Sequence, residues 1–365
     1  MKYLVTGANG LLGKVVVQEL LDRGHEVRAI VRPTCQVQQL PWFDQVQFFK
    51  ADLRNATDLE SAFEGVDCLI HLAAMISGSD EAQFMAGPVA TERLLAAMAG
   101  CSTRNLVLCS SFSVYDWSKA WFVLDERCPV EQRGLYRRDG YAIAKVWQER
   151  VARDYSQQHA WRLTILRPGF IWGHGNEWCS GAGLETARRI LVNGPFRRLP
   201  LTYSENCAQA FAVAAEAAAA SQETAYSEDI FNVIDSDNVR AWRFAGDYLL
   251  RSGQQKRRIP LPDFLFRATA NCAALICRVC LGRNWKLPGL FMPNRYTARF
   301  GSRRFPADKL REKWGWRPRF TYAEALERTY RRPVAKDGEA QVDGSSNHVV
   351  SENSVAISSL TSRTT

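Results

Sequence analysis

Apolar positions arrive in short runs that alternate with amphipathic stretches from the first residues onward. The opening segment, KYLVTGANGLLGKVVVQELLDRGHEVRAIVRP, reads as a strand, a glycine turn, a helix and a second strand, which is a βαβ unit. The alternation continues through a strand at 46–50, a helix around 58–63, the strand DCLIHLAA, a helix near 90–99 and the strand NLVLCSSFSVY. A helix carrying Tyr141 and Lys145 follows, then the strand RLTILRPGFIWG. Strands alternating with helices predict a parallel sheet covered on both faces, so the expected class is α/β, a doubly wound parallel sheet of the Rossmann type.

Beyond Gly173 the regularity fades. The expected dinucleotide domain is 1–173, with 202–234 returning to it through the strand EDIFNVID. Residues 174–201 and 235–332 are left to form a smaller, discontinuous substrate domain towards the C-terminus. From 333 to 365 the composition turns to Ser, Thr, Asn, Gly and Asp, which predicts a disordered tail.

Composition narrows this picture. At 365 residues and 46% hydrophobic, the chain can bury a substantial core. It carries no run of eighteen apolar residues and opens on MKYLVTG without a signal-peptide run, so a cytoplasmic protein is expected. Ten cysteines scattered singly from Cys35 to Cys280 agree; Cys277 and Cys280 alone make a Cys-x-x-Cys, and with no second pair no metal site is expected. The net charge of +9 is uneven: 251–332 holds 20 basic and 5 acidic residues, a net +15, against −4 before it and −2 after it. Such a region suits an anionic membrane surface or an acidic substrate, and no nucleic-acid motif accompanies it.

Candidate chemistry begins at TGANGLLG. Gly7, Gly10 and Gly13 lie between strand and helix, where they permit a tight turn and let a pyrophosphate approach the helix N-terminus. The second strand ends on Arg32, with no acid from 27 to 34, which favours NADP and leaves NAD open. Asp52, after the third strand, is placed either to accept from an adenine amino group or to cap a helix. Tyr141 and Lys145, four apart, share one helical face.

These motifs together resemble the extended short-chain dehydrogenase/reductase family over residues 1 to about 330: the glycine trio, Asp-Leu after the third strand, HLAA, SSFSVY, Tyr-x-x-x-Lys and LRPGFIWG stand in the family's order. The resemblance implies that Tyr141 is the general acid/base, that Lys145 binds the nicotinamide ribose and lowers the phenol pKa, and that Ser111 holds the substrate oxygen. It also implies cofactor contacts by Leu12, Leu53, Ala73 and Pro168. Ser110 competes with Ser111, which is preferred because it lies four before Tyr115; Ser113 is a neighbour, Tyr115 a wall residue and Arg167 an ion-pair partner.

Two reactions fit the resemblance. One is hydride transfer to or from a hydrophobic hydroxyl or ketone, as in 3β-hydroxysteroid and sterol-carboxylate dehydrogenases, which TYSENCAQAFAVAAEAA and FNVIDSDNVRAWRFAGDYL resemble. The other is nucleotide-sugar epimerisation. A dehydratase is disfavoured, since Phe112 and Ser113 stand where that branch carries Asp-Glu. A non-catalytic dinucleotide sensor is disfavoured by the complete Ser, Tyr and Lys set. Phe170 and Arg32 depart from the steroid pattern. In FLFRATANCAALICRVCLGR, residues Arg267, Asn271 and Arg278 fall within about 40° of one another on a helix, leaving the other faces apolar. Residues 264–283 therefore read either as a peripheral contact at the inner face of a membrane, beside Arg283 and Lys286, or as a lid over a small-molecule pocket. A homodimer is left open.

Overall fold

The computed structural model describes residues 1–132, 135, 138–221, 223–235, 237, 239–280 and 293–331. Its strands begin as the apolar runs predict: β1 (Lys2–Thr6), β2 (Glu26–Val31), β3 (Gln47–Lys50), β4 (Cys68–His71), β5 (Asn105–Cys109), β6 (Arg162–Pro168) and β11 (Ser227–Val233). They form one seven-stranded sheet in the order β11-β6-β5-β4-β1-β2-β3, with every pair parallel. The order reverses between β1 and β4, which opens a crevice at their carboxyl ends.

Alternate residues of each strand enter opposite cores. Tyr3, Val5, Ala29, Val31, Cys68 and Ile70 pack with the helices α1 (Leu11–Asp22) and α5 (Ser204–Ala220). Leu4, Ile30, Leu69, Leu106 and Leu108 pack on the other face with α3 (Ala90–Ala99) and α4 (Gly140–Gln158). Burial on both faces is why these strands read as continuous apolar runs.

Several expected elements differ in form. The helix near 58–63 is a single 3₁₀ turn at Glu60–Phe63, and the strand through SSFSVY stops at Cys109 and gives way to a 3₁₀ turn, Phe112–Val114. RLTILRPGFIWG breaks after Pro168. Gly169 sits so close to the next strand that a Cβ would lie 2.2 Å from the Pro200 carbonyl oxygen. The chain then continues as β7 (Phe170–Trp172), which pairs with β10 (Leu201–Tyr203) away from the main sheet.

A third sheet joins β8 (Gly183–Glu185), β9 (Arg189–Asn193) and β12 (Arg257–Leu261). With α6 (Ala241–Ser252) and α10 (Tyr322–Tyr330) it encloses a separate aromatic core containing Trp172, Tyr203, Phe244 and Tyr322. The helices α2 (Asp80–Phe84), α7 (Asp263–Cys280), α8 (Pro293–Phe300) and α9 (Asp308–Trp314) complete the elements named here. No helix among the described residues is long and apolar enough to cross a membrane. Arg283, Lys286 and the stretch 333–365 lie outside the described residues.

The glycine turn after β1 is tightly built. Gly7 adopts φ +69°, and a Cβ there would lie 2.9 Å from the Ala73 amide nitrogen. At Gly13 a Cβ would lie 2.1 Å from the Gly7 carbonyl oxygen and 2.7 Å from the Ala8 Cα, both backbone atoms. Gly13→Ala must therefore displace the turn itself, and overpacking of this kind costs about 1–3 kcal/mol. Thermal melting should show that loss together with weakened dinucleotide binding; unchanged values for both would mean that the turn yields freely.

Candidate active site

The N-terminus of α1 is open in a way that suits an anion. Gly10 occupies the N-cap with extended backbone, no side chain caps the helix, and no acid stands in its first turn. The unsatisfied N–H groups and the helix dipole point towards the crevice between β1 and β4. Leu12 packs half-buried against the core below, Leu53 is buried, and the Ala73 N–H donates to Thr6 Oγ1 at 3.3 Å. These residues fit a dinucleotide, because any side chain at Gly7 or Gly13 would fill the turn that the diphosphate needs.

At the adenosine end, Arg32 is exposed just past β2. Asp52 does not cap a helix; its carboxylate is clamped by Arg54, whose Nη2 donates at 2.6 Å and whose backbone N–H donates at 3.0 Å. The Arg54 hydrogen bond, opposed by partial burial and assisted by the charges of Arg54 and Arg32, brings the Asp52 pKa down to about 2. Two guanidinium groups thus act on one carboxylate beside the second and third strands.

The catalytic candidates meet over the carboxyl ends of β5 and β6. Asp139 starts α4 by accepting the Ala142 N–H at 3.0 Å, and the helix then aims Tyr141, Lys145, Gln148 and Glu149 at the sheet. Lys145 is 2% exposed and its Nζ donates to the Cys109 carbonyl at 2.7 Å. Tyr141 is half-buried, with its phenol beside the side chain of Ser111, the N-cap of the 3₁₀ turn. Pro168 is buried at the end of β6.

Burial holds the Tyr141 phenol above its ordinary value, the Cys109 thiol adds to this, and the neighbouring Ser111 hydroxyl opposes it. Burial holds the Lys145 ammonium below its ordinary value, opposed by Cys109 and Glu149. The lowering of the phenol pKa that the resemblance assigns to Lys145 is therefore not what the chain alone displays: the ammonium is directed at a backbone carbonyl. Ser110, the competitor of Ser111, is committed elsewhere, since its hydroxyl donates to Glu149 at 2.5 Å. Tyr115 is fully buried, with its hydroxyl on Asn232 at 2.6 Å.

Two buried networks that sequence reasoning missed hold these groups. In the first, Arg167 grips Glu149 with two bonds, at 2.8 and 2.6 Å, while stacking 4.7 Å over the Tyr115 ring; Arg153 adds a third donor at 3.0 Å. Arg167 as an ion-pair partner was legible; its partner was not. In the second, Thr91 donates its one hydroxyl proton to the Gly87 carbonyl, so it must accept from His71 Nε2 at 2.8 Å and from Gln148 at 2.8 Å. His71 Nδ1 is then the acceptor of the Thr6 hydroxyl at 2.6 Å. Burial and the Lys145 charge lower the His71 pKa to about 3, so the ring stays neutral. Gln148 also donates to the Ala73 carbonyl at 3.3 Å, tying α4 to the lip of the crevice.

Burial alone would raise the Glu149 pKa; the Arg167 bonds outweigh it and hold the carboxyl below its ordinary value. A depressed folded pKa contributes stability that is present above the unfolded value and lost as pH falls through the folded one. Glu149→Gln strands a buried guanidinium, and breaking such a pair costs about 3–5 kcal/mol. Denaturant unfolding at neutral pH should report that loss, and the difference from the parent should shrink in acid. Equal stability at neutral pH would contradict the role given to the pair.

A mouse sterol-4-alpha-carboxylate 3-dehydrogenase, decarboxylating, is 25% identical over 337 residues, covering 90% of each chain. A 3 beta-hydroxysteroid dehydrogenase/Delta 5→4-isomerase of Mycobacterium tuberculosis is 28% identical over 340 residues, covering 89% of this chain and 88% of that one. Among solved structures, UDP-glucuronic acid 4-epimerase from Bacillus cereus, in complex with UDP-glucuronic acid and NAD, superposes with a TM-score of 0.65 at 18% identity, over 90% of this chain and 98% of that one. The family model of the NAD dependent epimerase/dehydratase family matches residues 3–233, from β1 through β11, and the chain belongs to that family.

Proposed function

We propose that the protein is an NAD(P)-dependent oxidoreductase that moves a hydride between the nicotinamide and a hydroxyl or ketone of a hydrophobic, sterol-like or other lipid substrate. The observation that carries this reading is the meeting of the Ser111 and Tyr141 side chains, with Lys145 one turn along the same helix, at the carboxyl end of a parallel sheet beside an uncapped glycine turn. The matches to sterol and hydroxysteroid dehydrogenases over nine-tenths of the chain support the substrate class.

When bound, the dinucleotide supplies or accepts the hydride. Gly7, Gly10, Gly13 and Leu12 would hold its pyrophosphate, Asp52 and Leu53 its adenine, and Ala73, Pro168 and Lys145 its nicotinamide half. Tyr141 carries the proton to or from the reacting oxygen, and Ser111 holds that oxygen in place. Glu149 opposes the lowering of the Lys145 pKa by burial and so favours the charged form. A phenol held above its ordinary value is protonated at neutral pH, which suits proton donation to a ketone. We assign NADP as the preferred cofactor, because the second strand leads into an exposed Arg32 with no acid from 27 to 34. Residues 174–201 and 235–332 would form the substrate side. The exposed apolar residues Phe264, Leu265, Leu275, Ile276 and Val279 of α7 support peripheral contact with a membrane, from which a lipid substrate would be drawn.

Tyr141→Phe should lower turnover by about 10²–10⁴-fold while leaving cofactor affinity within a few-fold, since only the proton-carrying oxygen is lost. In the parent, alcohol oxidation should rise with pH as the phenol ionises and ketone reduction should fall. Near-parental turnover of the variant, or pH profiles of the opposite slope, would remove Tyr141 from its role.

Arg32→Asp should weaken NADP and spare NAD, because repulsion replaces attraction only where a 2′-phosphate is present. Fluorescence titration with both dinucleotides decides it: equal loss for the two means that Arg32 covers the adenine.

A further inference from the structure

Three exposed aromatic rings lie on one rim, outside the Ser, Tyr and Lys site. Trp121 and Phe122 are 78% and 80% exposed at the tip of the loop that follows the 3₁₀ turn, and Phe196 is 78% exposed after β9. The first tip is held firmly at its base. The Arg304 N–H donates to the Phe122 carbonyl at 2.8 Å, the Leu124 N–H donates to the Arg304 carbonyl at 2.9 Å, and the Arg303 guanidinium bonds the Ala120 carbonyl.

Val123 (next to Phe122), Arg198 (two residues after Phe196) and Arg304 line one cavity of about 850 Å³, so both tips stand beside the same opening. Ser111, Tyr141 and Lys145 do not line it. The start of α7 adjoins both tips: the Gly194 N–H donates to the Leu261 carbonyl at 2.9 Å, and the Arg303 guanidinium feels the charges of Arg267 and Asp263. Each tip has an exposed arginine beside it: Arg198 comes two residues after Phe196, and Arg304 pairs with Val123 next to Phe122. Of the acids that line the cavity, Asp125 pairs with Arg127 at 2.5 Å and Asp308 with Arg311, while Glu126 accepts the Asn232 N–H at 2.7 Å, Asp235 the Tyr203 N–H at 2.7 Å and Asp237 the Tyr322 N–H at 2.6 Å.

We infer that this rim docks onto an anionic phospholipid bilayer, with Trp121, Phe122 and Phe196 entering the headgroup boundary while Arg198 and Arg304 meet lipid phosphates. The inference rests on the membrane reading of α7 and adds to it a separate set of contacts. Rigid aromatic tips flanked by cations fit a boundary that is apolar on one side and negatively charged on the other. A second copy fits worse, because a two-fold contact through this rim would bring its arginines against one another.

The test uses the full chain and vesicles of phosphatidylcholine with and without phosphatidylserine, read by co-sedimentation and by quenching of tryptophan fluorescence with brominated lipid. The parent should pellet with the anionic vesicles and be released by salt. Trp121→Ser/Phe122→Ser should lower partition by about tenfold or more and reduce quenching. Arg198→Gln/Arg304→Gln should lower partition to anionic vesicles by about fivefold per arginine and flatten the salt dependence.

Parental pelleting by the tip variant would overturn the inference, as would a parent that binds neither vesicle. So would a parental dimer that the tip variant turns into a monomer, since the tips would then meet protein. Loss of binding in Ile276→Ser/Val279→Ser alone, with the tip variant unaffected, would overturn this inference and spare α7. Turnover of a water-soluble hydroxyketone by the same preparations keeps the readings apart. The tip variant should retain it, whereas its absence in the parent would count against the oxidoreductase reading and leave the vesicle result standing.

Discussion

One buried carboxylate anchors the catalytic end of the sheet. Glu149 is fully buried and receives hydrogen bonds from Arg167, Ser110 and Arg153. Lys145 lies one helical turn before Glu149, Pro168 follows Arg167, and Ser111 follows Ser110, so three candidate site residues sit within a turn of one fixed point. A buried ion pair gains little net stability, because desolvation offsets most of the attraction. Its consequence here is geometrical: α4 cannot slide or rotate over β5 and β6 without breaking several bonds in a region closed to water.

The same dryness sets the proton chemistry. Burial moves Tyr141 up and Lys145 down, each towards its neutral form, and lowers His71 until it acts as a fixed dipole. Glu149 opposes the loss of charge on Lys145, so the carboxylate that fixes the helix also favours the ammonium. The hydrogen-bonded chain that links Thr6, His71, Thr91, Gln148 and Ala73 binds the crevice lip to the same helix. The glycine turn and the Ser, Tyr and Lys cluster are thereby held by one rigid support.

The sheet was legible because its strands are buried on both faces and stand out as apolar runs, and the crevice because Gly7 and Gly13 have no room for a side chain. That Tyr141 and Lys145 share one helical face was legible from their spacing, while the roles proposed for them come from the resemblance. The Glu149–Arg167 pair was not, since its members lie 18 residues apart on different elements and only the packed fold brings them together. Nor was the break of β6 from β7, which comes from the close approach of Pro200 to Gly169. Of the two readings Asp52 offered, the helix cap is not taken, because Arg54 two residues on is a stronger local partner than a helix end. The residues 264–283 were read as an amphipathic helix, and α7 does expose apolar side chains, but the basic residues expected beside them fall outside the described part of the chain.

The most direct measurement of the central claim is label transfer. Reduced dinucleotide carrying deuterium at the reactive ring carbon is incubated with the enzyme and a hydrophobic ketone, and the products are analysed by mass spectrometry. The account predicts deuterium on the new carbinol carbon, with one dinucleotide oxidised for each alcohol formed. Interconversion of a UDP-sugar without net oxidation of the dinucleotide, and with no label entering any lipid ketone, would contradict it.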